Sequence, residues 1–469
     1  MSKIIVVGAG VCGLSAGLLL ARDGHDVTLL ERDPQPVPDS PERGWEDWSR
    51  EGVVQFRQPH YLQSAGHEIL EQELPDVLQE LAEAGAIPFT PLSLMPPSIT
   101  DREPRAGDER FRTLTARRPV LEQVIGRAAE SQPRLQVRRG VDVTGLTATM
   151  YNGIAHVTGV KSDRGEELGG DLVVDAMGRR SRMVRWLADV AAVPVHEEAE
   201  DSGFLYYTRY FRSTGAGLPP FRGPPVTPLG SFSILIIPSD NDTWSVTLYT
   251  SAGDRPLKRL RERERWDAVV GACPLHVQWL DGEPISEVLP IGGIVDRYRR
   301  LVVNGQPIVT GVVLLADSWA CTNPSLGRGM ALGLLHAGHL RDLVQGGLDD
   351  PRKFAASLDA LTEAHLTPWY RDTVVEDRAR LREIEALRIG AAAPLPDDPA
   401  ARIRALLPAA AAHDAGLYRA FLATRGCMTP VGEVIERPGI AERILEIVRG
   451  HEPPPIPGPD RDQLMALLS

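Results

Sequence analysis

Lysine is almost missing from this chain of 469 residues: it stands only at 3, 161, 258 and 353, and arginine supplies the other basic side chains. That bias reads as genomic composition more than chemistry. Cysteine is equally scarce, and Cys12, Cys273, Cys321 and Cys427 stand singly, with neither a paired framework nor metal-ligand spacing. This excludes a disulfide-stapled fold and points to a reducing, cytoplasmic setting. Nowhere do 18 apolar residues run together, and the first residues, MSKIIVVGAG, form no charged-then-apolar leader, so no transmembrane segment or secretion signal is expected. No basic block occurs, and a net charge of −12 would repel nucleic acid and anionic membranes. No Ser/His/Asp or Cys/His constellation suggests a nucleophile. His336 and His339 have i, i+3 spacing but no third ligand beside them, so no metal site is expected.

What is present suits a globular protein, with 43% hydrophobic residues to build two or three cores. The opening reads strand (3–7), glycine turn, apolar helix (11–22) and buried strand (26–30). Residues 34–60 form a long loop of Pro, Asp, Trp and Arg, and loops of that length commonly carry function. Amphipathic helices are predicted at 63–84 and 118–130, short strands at 135–177, and half-buried antiparallel strands at 203–250. A continuous apolar strand returns at 308–316 and a helix at 329–345. The stretch 352–450 reads as helical, and the proline-rich HEPPPIPGPD after it as a poorly ordered end.

The glycines of Gly8-Ala9-Gly10-Val11-Cys12-Gly13 follow a strand and open a helix, and Glu31 and Arg32 close the next strand. In such a βαβ unit the first glycine permits the tight turn, the second lets backbone approach a pyrophosphate, and the third lets helix and strand pack closely. The helix start supplies free amides and partial positive charge for phosphates. Glu31 is expected to accept hydrogen bonds from a ribose. This fingerprint predicts an adenine dinucleotide without choosing between FAD and NAD.

Two more stretches make that choice. One is Asp171-Leu-Val-Val-Asp175-Ala-Met-Gly178-Arg-Arg-Ser181; the other is Leu314-Leu-Ala-Asp317-Ser-Trp-Ala-Cys-Thr-Asn323-Pro324-Ser-Leu-Gly327-Arg-Gly329-Met330. With the N-terminal fingerprint they resemble, over about residues 1–345, the three flavin motifs of the group A flavoprotein monooxygenases, the para-hydroxybenzoate hydroxylase-like family. The resemblance implies an α/β chain. Its doubly wound, glutathione-reductase-like FAD domain (1–83, 113–194 and 293–345) is interrupted by a β-sheet substrate domain (84–112 and 195–292), and a C-terminal helical region with the proline-rich tail (346–469) follows. By the same resemblance Asp317 holds the ribityl chain, Pro324, Gly327, Gly329 and Met330 bring amides to the flavin edge, and Arg118, or Arg117, opens a helix beside the cofactor. Val11, Cys12, Asp175 and Gly178 complete the expected contacts. Ala316 departs from the family's glycine, expected to cost only compactness; Met177 replaces a small residue. The family's histidine is absent at 320–321, so FAD is expected to be noncovalent.

A narrower likeness, in Arg50-Glu-Gly52-Val-Val-Gln55-Phe-Arg57-Gln-Pro-His60 and in Asp201-Ser-Gly-Phe-Leu-Tyr206-Tyr207-Thr-Arg209-Tyr-Phe211, is similar to the squalene-epoxidase-like branch that includes polyether epoxidases. The family resemblance implies oxygen transfer from O2 through a flavin C4a-hydroperoxide, as hydroxylation or epoxidation of a mostly apolar small molecule in secondary metabolism. NAD(P)H would be a transient co-substrate, or a separate flavin reductase the electron source. Candidate contacts with substrate or flavin are Arg57, His60, Tyr207, Arg209 and Trp319, each with a packing or surface role as its alternative. On the same fold a prenyl-reductase-like dehydrogenase, a halogenase and a flavin-binding module without turnover are the other readings. The halogenase reading lacks its lysine, since none occurs between 4 and 160, and no Trp-x-Trp occurs.

Overall fold

The β-branched run at the start of the chain becomes the strand Lys3–Val7, third in a five-stranded parallel sheet ordered Val312–Leu314, Leu172–Asp175, Lys3–Val7, Asp26–Glu31, Leu135–Arg139. The strands Lys3–Val7, Leu172–Asp175 and Val312–Leu314 are largely apolar on both sides because both faces are covered. The helices Val11–Arg22, Arg118–Ser131 and Gly329–Gln345 cover one face, where Leu14, Leu18, Leu121 and Leu334 are fully enclosed and each contributes roughly 1.5–3 kcal/mol. A β-layer of Val143–Tyr151, Ile154–Ser162 and Glu167–Gly169 covers the other face through Val143, Val157 and Val160. The computed structural model describes residues 1–215, 217–391, 396–451 and 456–469.

Strand order reverses about Lys3–Val7, whose neighbours are the strand after it and one 165 residues later. The crevice beyond its carboxyl end is where such sheets take ligands, and there the turn Gly8–Gly10 leads into the first helix.

The antiparallel sheet Val226–Leu229, Phe232–Ser239, Thr243–Ser251, Phe204–Arg212, with Glu283–Pro284 and Leu289–Ile291 on the last strand, forms the second unit. One face packs on the helix Arg263–Gly271 in a core with Trp244, Trp266 and Trp279. The other turns toward the first unit. Between the units a three-stranded sheet joins His196–Asp201, Val295–Arg300 and Ala320–Cys321.

Several expectations change. The loop at 34–60 contains the helix Pro41–Glu46, started by Pro41 and by Ser40, whose side chain accepts from the Arg43 amide. Segment 84–112 divides: Ile87–Phe89 pairs with Thr113–Thr115, but Met95, Ile99 and Phe111 share a core with Leu407, Leu417, Tyr418 and Ile444 of the C-terminal helices, not with the substrate sheet. The proline-rich stretch lies partly outside the described residues, at 452–455. Beyond it the end is ordered: Arg461–Leu467 is a helix with an Asp460/Gln463 capping box, and Leu464 and Leu468 insert into the tryptophan core of the second unit. Arg461 ties it down through Asp254. No helix among the described residues is long and apolar enough to cross a membrane.

Candidate functional site

Steric limits fix the glycine turn. Gly8 has φ +109°, and a Cβ there would lie 2.5 Å from the Ala176 carbonyl oxygen; one on Gly13 would lie 2.0 Å from the Gly8 oxygen. At Gly10 the nearest group to such a Cβ is the Arg118 guanidinium, 3.8 Å away, so the close backbone approach is open to a ligand. The helix beginning at Val11 has no side-chain cap, which leaves its first-turn amides as donors for an anion.

A buried chain of charges backs this turn. The Ala9 amide donates to Glu31 Oε2 (2.8 Å) and the Asp33 amide to Oε1 (2.9 Å), while Arg50 donates to Glu31, to the Ala9 carbonyl (2.7 Å) and to Glu122 (2.6 Å). Arg118 Nε donates to the other Glu122 oxygen (2.6 Å). Burial alone would raise the Glu31 pKa, but Arg50 and the two amides outweigh it and hold the carboxyl below its ordinary range. Glu31 thus braces the turn with both oxygens engaged. Arg50, 5% exposed, is the functional residue that sequence reasoning passed over as a candidate. Its only local signal was its place in the Arg50–His60 run, since Glu122 lies 72 residues away. Arg32 is exposed and lies against Gly52.

Of the two arginines at the next helix start, Arg117 is fully buried and donates to both oxygens of Asp240 in the second unit, so it is spent on the protein. Arg118 faces the crevice, and its Nη1 lies 3.0 Å from His60 Nε2. His60 Nδ1 sits 2.8 Å from the Gln58 carbonyl and must donate to it, so Nε2 accepts from Arg118. Burial, then the Arg118 charge, push the His60 pKa down to about 3, which makes it a neutral acceptor.

The third stretch meets the first here. A Cβ on Gly333 would fall 2.2 Å from Cys12 Sγ, so the helices Val11–Arg22 and Gly329–Gln345 cross in contact near their starts. Both amino-terminal ends face one crevice, and neither has a side-chain cap. Asp317 lies beside them, with its Oδ1 3.7 Å from a Cβ position on Gly329. Among the described residues its carboxylate accepts no hydrogen bond from the protein, and burial raises its pKa against the lowering influence of Arg118 and Arg179. A half-buried acceptor without described donors, two free helix starts and an arginine form a set suited to an extended ligand carrying both phosphates and hydroxyls. Pro324 and Gly329 are exposed at its mouth, Gly327 turns the chain at φ +62°, and Met330 packs inward on the sheet.

Asp175 plays another part than expected. It is fully buried, and its oxygens accept from the Met177 amide (3.0 Å), Ser318 Oγ (3.1 Å) and Ser181 Oγ. Ser318 also accepts from the Gly178 amide (3.0 Å). Burial pushes Asp175 up to about 6 despite these donors. It fastens the second stretch to the third, and its own turn consumes its acceptors. Ala316 also needs correction: it sits at φ +54°, so the departure from glycine costs backbone strain, not compactness alone. Its amide donates to His336 Nδ1 (3.3 Å), and His336 is buried against Trp319, whose other neighbour is Tyr298. Trp319 is core packing.

The remaining candidates do not reach the crevice. Alternation does put Tyr207 and Arg209 on one face, but that face looks into the tryptophan core: Trp266 Nε1 donates to the Tyr207 carbonyl, and Arg209 pairs with Asp267 over Phe211 and Trp266. The opposite residues, Tyr206, Thr208 and Tyr210, look toward the first unit. Tyr206 Oη donates to Asn323 Oδ1 (2.8 Å), and Thr208 Oγ1 to Gln58 (3.1 Å). Arg57 is turned away, donating to the Trp45 and Trp48 carbonyls over the Trp45 ring. Two open surface depressions, about 320 Å³ beside Pro41 and Gln123 and about 540 Å³ beside Ala272 and Leu467, touch none of these groups. Among the described residues no cluster of three His, Cys, Asp or Glu is placed to hold a metal.

Residues 1–209 match the FAD binding domain family. Protein Rv3254 of Mycobacterium tuberculosis is 25% identical over 358 residues, 72% of this chain and 72% of that one. Among solved structures, the p-nitrophenol 4-monooxygenase PnpA from Pseudomonas putida DLL-E4 superposes with a TM-score of 0.60 at 16% identity, covering 91% of this chain and 99% of its own. PqsL from Pseudomonas aeruginosa gives 0.59 at 16% identity, covering 82% and 97%. These structural likenesses speak to the fold.

Proposed function

We propose that this chain, an FAD-dependent oxidoreductase whose residues 1–209 match the FAD binding domain family, is a monooxygenase that transfers one atom of O2 to a mostly apolar small molecule, with NAD(P)H as electron source. FAD, when bound and reduced, supplies the activation of dioxygen. The chain's own residues bind, orient and exclude water.

Gly8, Gly10 and Gly13, with the amides of Val11 and Cys12, would hold the pyrophosphate, and Glu31 with Arg50 keeps that turn rigid. Asp317 would accept from the ribityl hydroxyls, as a carboxylate at the crevice to which no described residue donates. Arg118, aimed by Glu122 and His60, would oppose negative charge on the cofactor. The uncapped start of Gly329–Gln345 would stabilise negative charge at the flavin edge.

The observation that carries the reading is the seating of Asn323–Arg328 against the substrate sheet, through Tyr206 Oη on Asn323 Oδ1. It brings a flavin-edge loop against a sheet face of Tyr206, Tyr249, Leu235 and Ile291, in which the two tyrosine rings stack at 5.3 Å. Leu381 and Ile384 of the helix Thr367–Arg388 pack on the same face, which would border, and not enclose, an apolar, electron-rich ring or alkene. That PnpA is a p-nitrophenol 4-monooxygenase supports a hydroxylase. The epoxidase likeness of the Arg50–His60 and Asp201–Phe211 runs supports the alkene, and with it a place in secondary metabolism. A cytoplasmic location and reduction by a separate flavin reductase remain compatible parts of this proposal.

The test is a screen of phenols and apolar alkenes for stimulated NAD(P)H oxidation, with 18O2 as oxidant. Incorporation of one labelled oxygen into product is expected. Stimulated turnover that proceeds without oxygen and saturates a double bond would assign a reductase instead.

A further inference from the structure

We infer that Asp377 and Arg328 are positioning residues through which the C-terminal helix Thr367–Arg388 sets the height of the Asn323–Met330 loop against the flavin; this rests on the reading of that loop as the flavin-edge clamp. The loop belongs by sequence to the FAD-binding unit, yet its polar side chains are fastened outside that unit. Ser325 Oγ donates to Asp377 Oδ1 (2.6 Å). Arg328, 2% exposed, donates through Nη1 to Thr373 Oγ1 (3.0 Å) and through Nη2 to the Thr424 carbonyl (3.2 Å), and its guanidinium lies over Trp369 at 5.2 Å. Glu376 is 3.8 Å away and is itself held by Arg425 at 2.7 Å.

Trp369, Thr373, Glu376 and Asp377 are spaced 4, 3 and 1 apart, so one stripe of one helix takes both attachments. Inside the FAD unit the loop is held mostly by its backbone: the Asn323 amide donates to Asp296 Oδ1 (2.6 Å), Gln63 Nε2 donates to the Leu326 carbonyl (2.8 Å), and Gly327 closes a turn on Pro324. Arg328 directly precedes Gly329, the first residue of the helix whose free amides face the crevice, so moving its side chain moves those donors.

The attachment is costly as plain packing. Arg328 Nε and Asp377 Oδ2 are buried without partners, and an apolar pair of the same volume would hold two helices together at least as well. What a directional hydrogen bond adds is a fixed position for the loop, and a displacement of about 1 Å at a reacting centre can cost on the order of 100-fold in rate.

The experiment uses the full-length FAD-loaded protein and its variants Asp377→Ala, Ser325→Ala and Asp377→Asn. Measured are FAD content, the visible absorption band and midpoint potential of the bound flavin, and the rate at which the dithionite-reduced protein is reoxidised by air-saturated buffer. The expected result is near-stoichiometric FAD in all, with a shifted band and potential and about a tenfold change in reoxidation in the two alanine variants. Asp377→Asn, which keeps an oxygen for Ser325, should restore wild-type values. Ser325→Ala removes only one hydroxyl and keeps the test decisive if Asp377→Ala fails to fold. Wild-type spectra and potentials in the alanine variants would overturn the inference. A wild-type protein that takes up no FAD would instead overturn the cofactor reading itself.

Discussion

Asp317 offers a test in which affinity and stability move in opposite directions. Its carboxylate stands beside two helix starts and accepts no hydrogen bond from the described protein, and burial raises its pKa although Arg118 and Arg179 pull the other way. In the FAD-free protein it is therefore a partly exposed carboxylate that has lost some of its water and accepts from no described donor. In the loaded protein ribityl hydroxyls would supply donors. A hydrogen bond to a charged group contributes about 1.5–3 kcal/mol, so Asp317→Ala should weaken FAD about 10- to 100-fold. Asp317→Asn should lose less, because it keeps an acceptor. Without FAD the order reverses: both variants should unfold at the wild-type temperature or slightly above it, since a partly desolvated charge has gone. Titrating FAD into stripped protein by flavin fluorescence gives the affinity, and tryptophan fluorescence on heating gives the midpoint. Unchanged FAD affinity, or a parallel loss of affinity and FAD-free stability, would refute the reasoning.

Asp240→Ala should destabilise the protein by about 3–5 kcal/mol, because it strands the fully buried Arg117 charge at the junction of the two units, and the double variant Arg117→Met/Asp240→Leu should recover most of that in thermal unfolding. For Asp377 the pH dependence has a definite sign. Burial first, then the neighbouring Asp296 and Glu376 charges, push its pKa up to about 7 against donation from Ser325. Its folded pKa exceeds the ordinary 3.8, so its stabilising share is complete below about pH 4 and is lost as pH rises through 7. Asp377→Asn should therefore melt above wild type at pH 8 and converge with it by pH 4. Ala316→Gly should leave FAD affinity unchanged and raise the melting temperature slightly, since relief of about 1–2 kcal/mol of left-handed strain exceeds the roughly 0.5–1 kcal/mol entropic cost of glycine; a lower midpoint would show that the Ala316 methyl packing outweighs the strain.

The sequence disclosed those parts of the site whose physics is local. Gly8 and Gly13 can be read directly because the clashes that forbid a side chain there come from backbone a few residues away or from the neighbouring parallel strand. The helix Gly329–Gln345 was legible to the residue for the same reason: apolar periodicity and a glycine-rich start are short-range signals. Tyr207 and Arg209 mark the boundary. Strand alternation correctly put them on one face, but which face is the core depends on Trp266, contributed by a helix some sixty residues later. Arg50 was illegible as a site residue because its meaning lies in Glu31 and Glu122, neither of which a local pattern connects to it. The order of the chain's last helix was hidden likewise, since its anchor is Asp254.

The two ends of the proposed cofactor site are thus held by different kinds of constraint. At the nucleotide end the turn, the helix start and Glu31 lie within 24 residues, and a substitution among them is met by a backbone collision or a lost ion pair. At the flavin end Asp317, Pro324 and Gly329 are close in sequence, but the loop that joins them is attached to Tyr206, Asp296, Thr373, Asp377 and Thr424, drawn from four other segments. A motif search therefore recovers the first end from a short stretch, while the second tolerates changes such as Ala316 and the missing histidine because distant attachments carry the geometry. Reactivity at the flavin edge should then respond to substitutions in the C-terminal helices that leave dinucleotide binding untouched, which is the separation that potential and FAD content, measured together, can resolve.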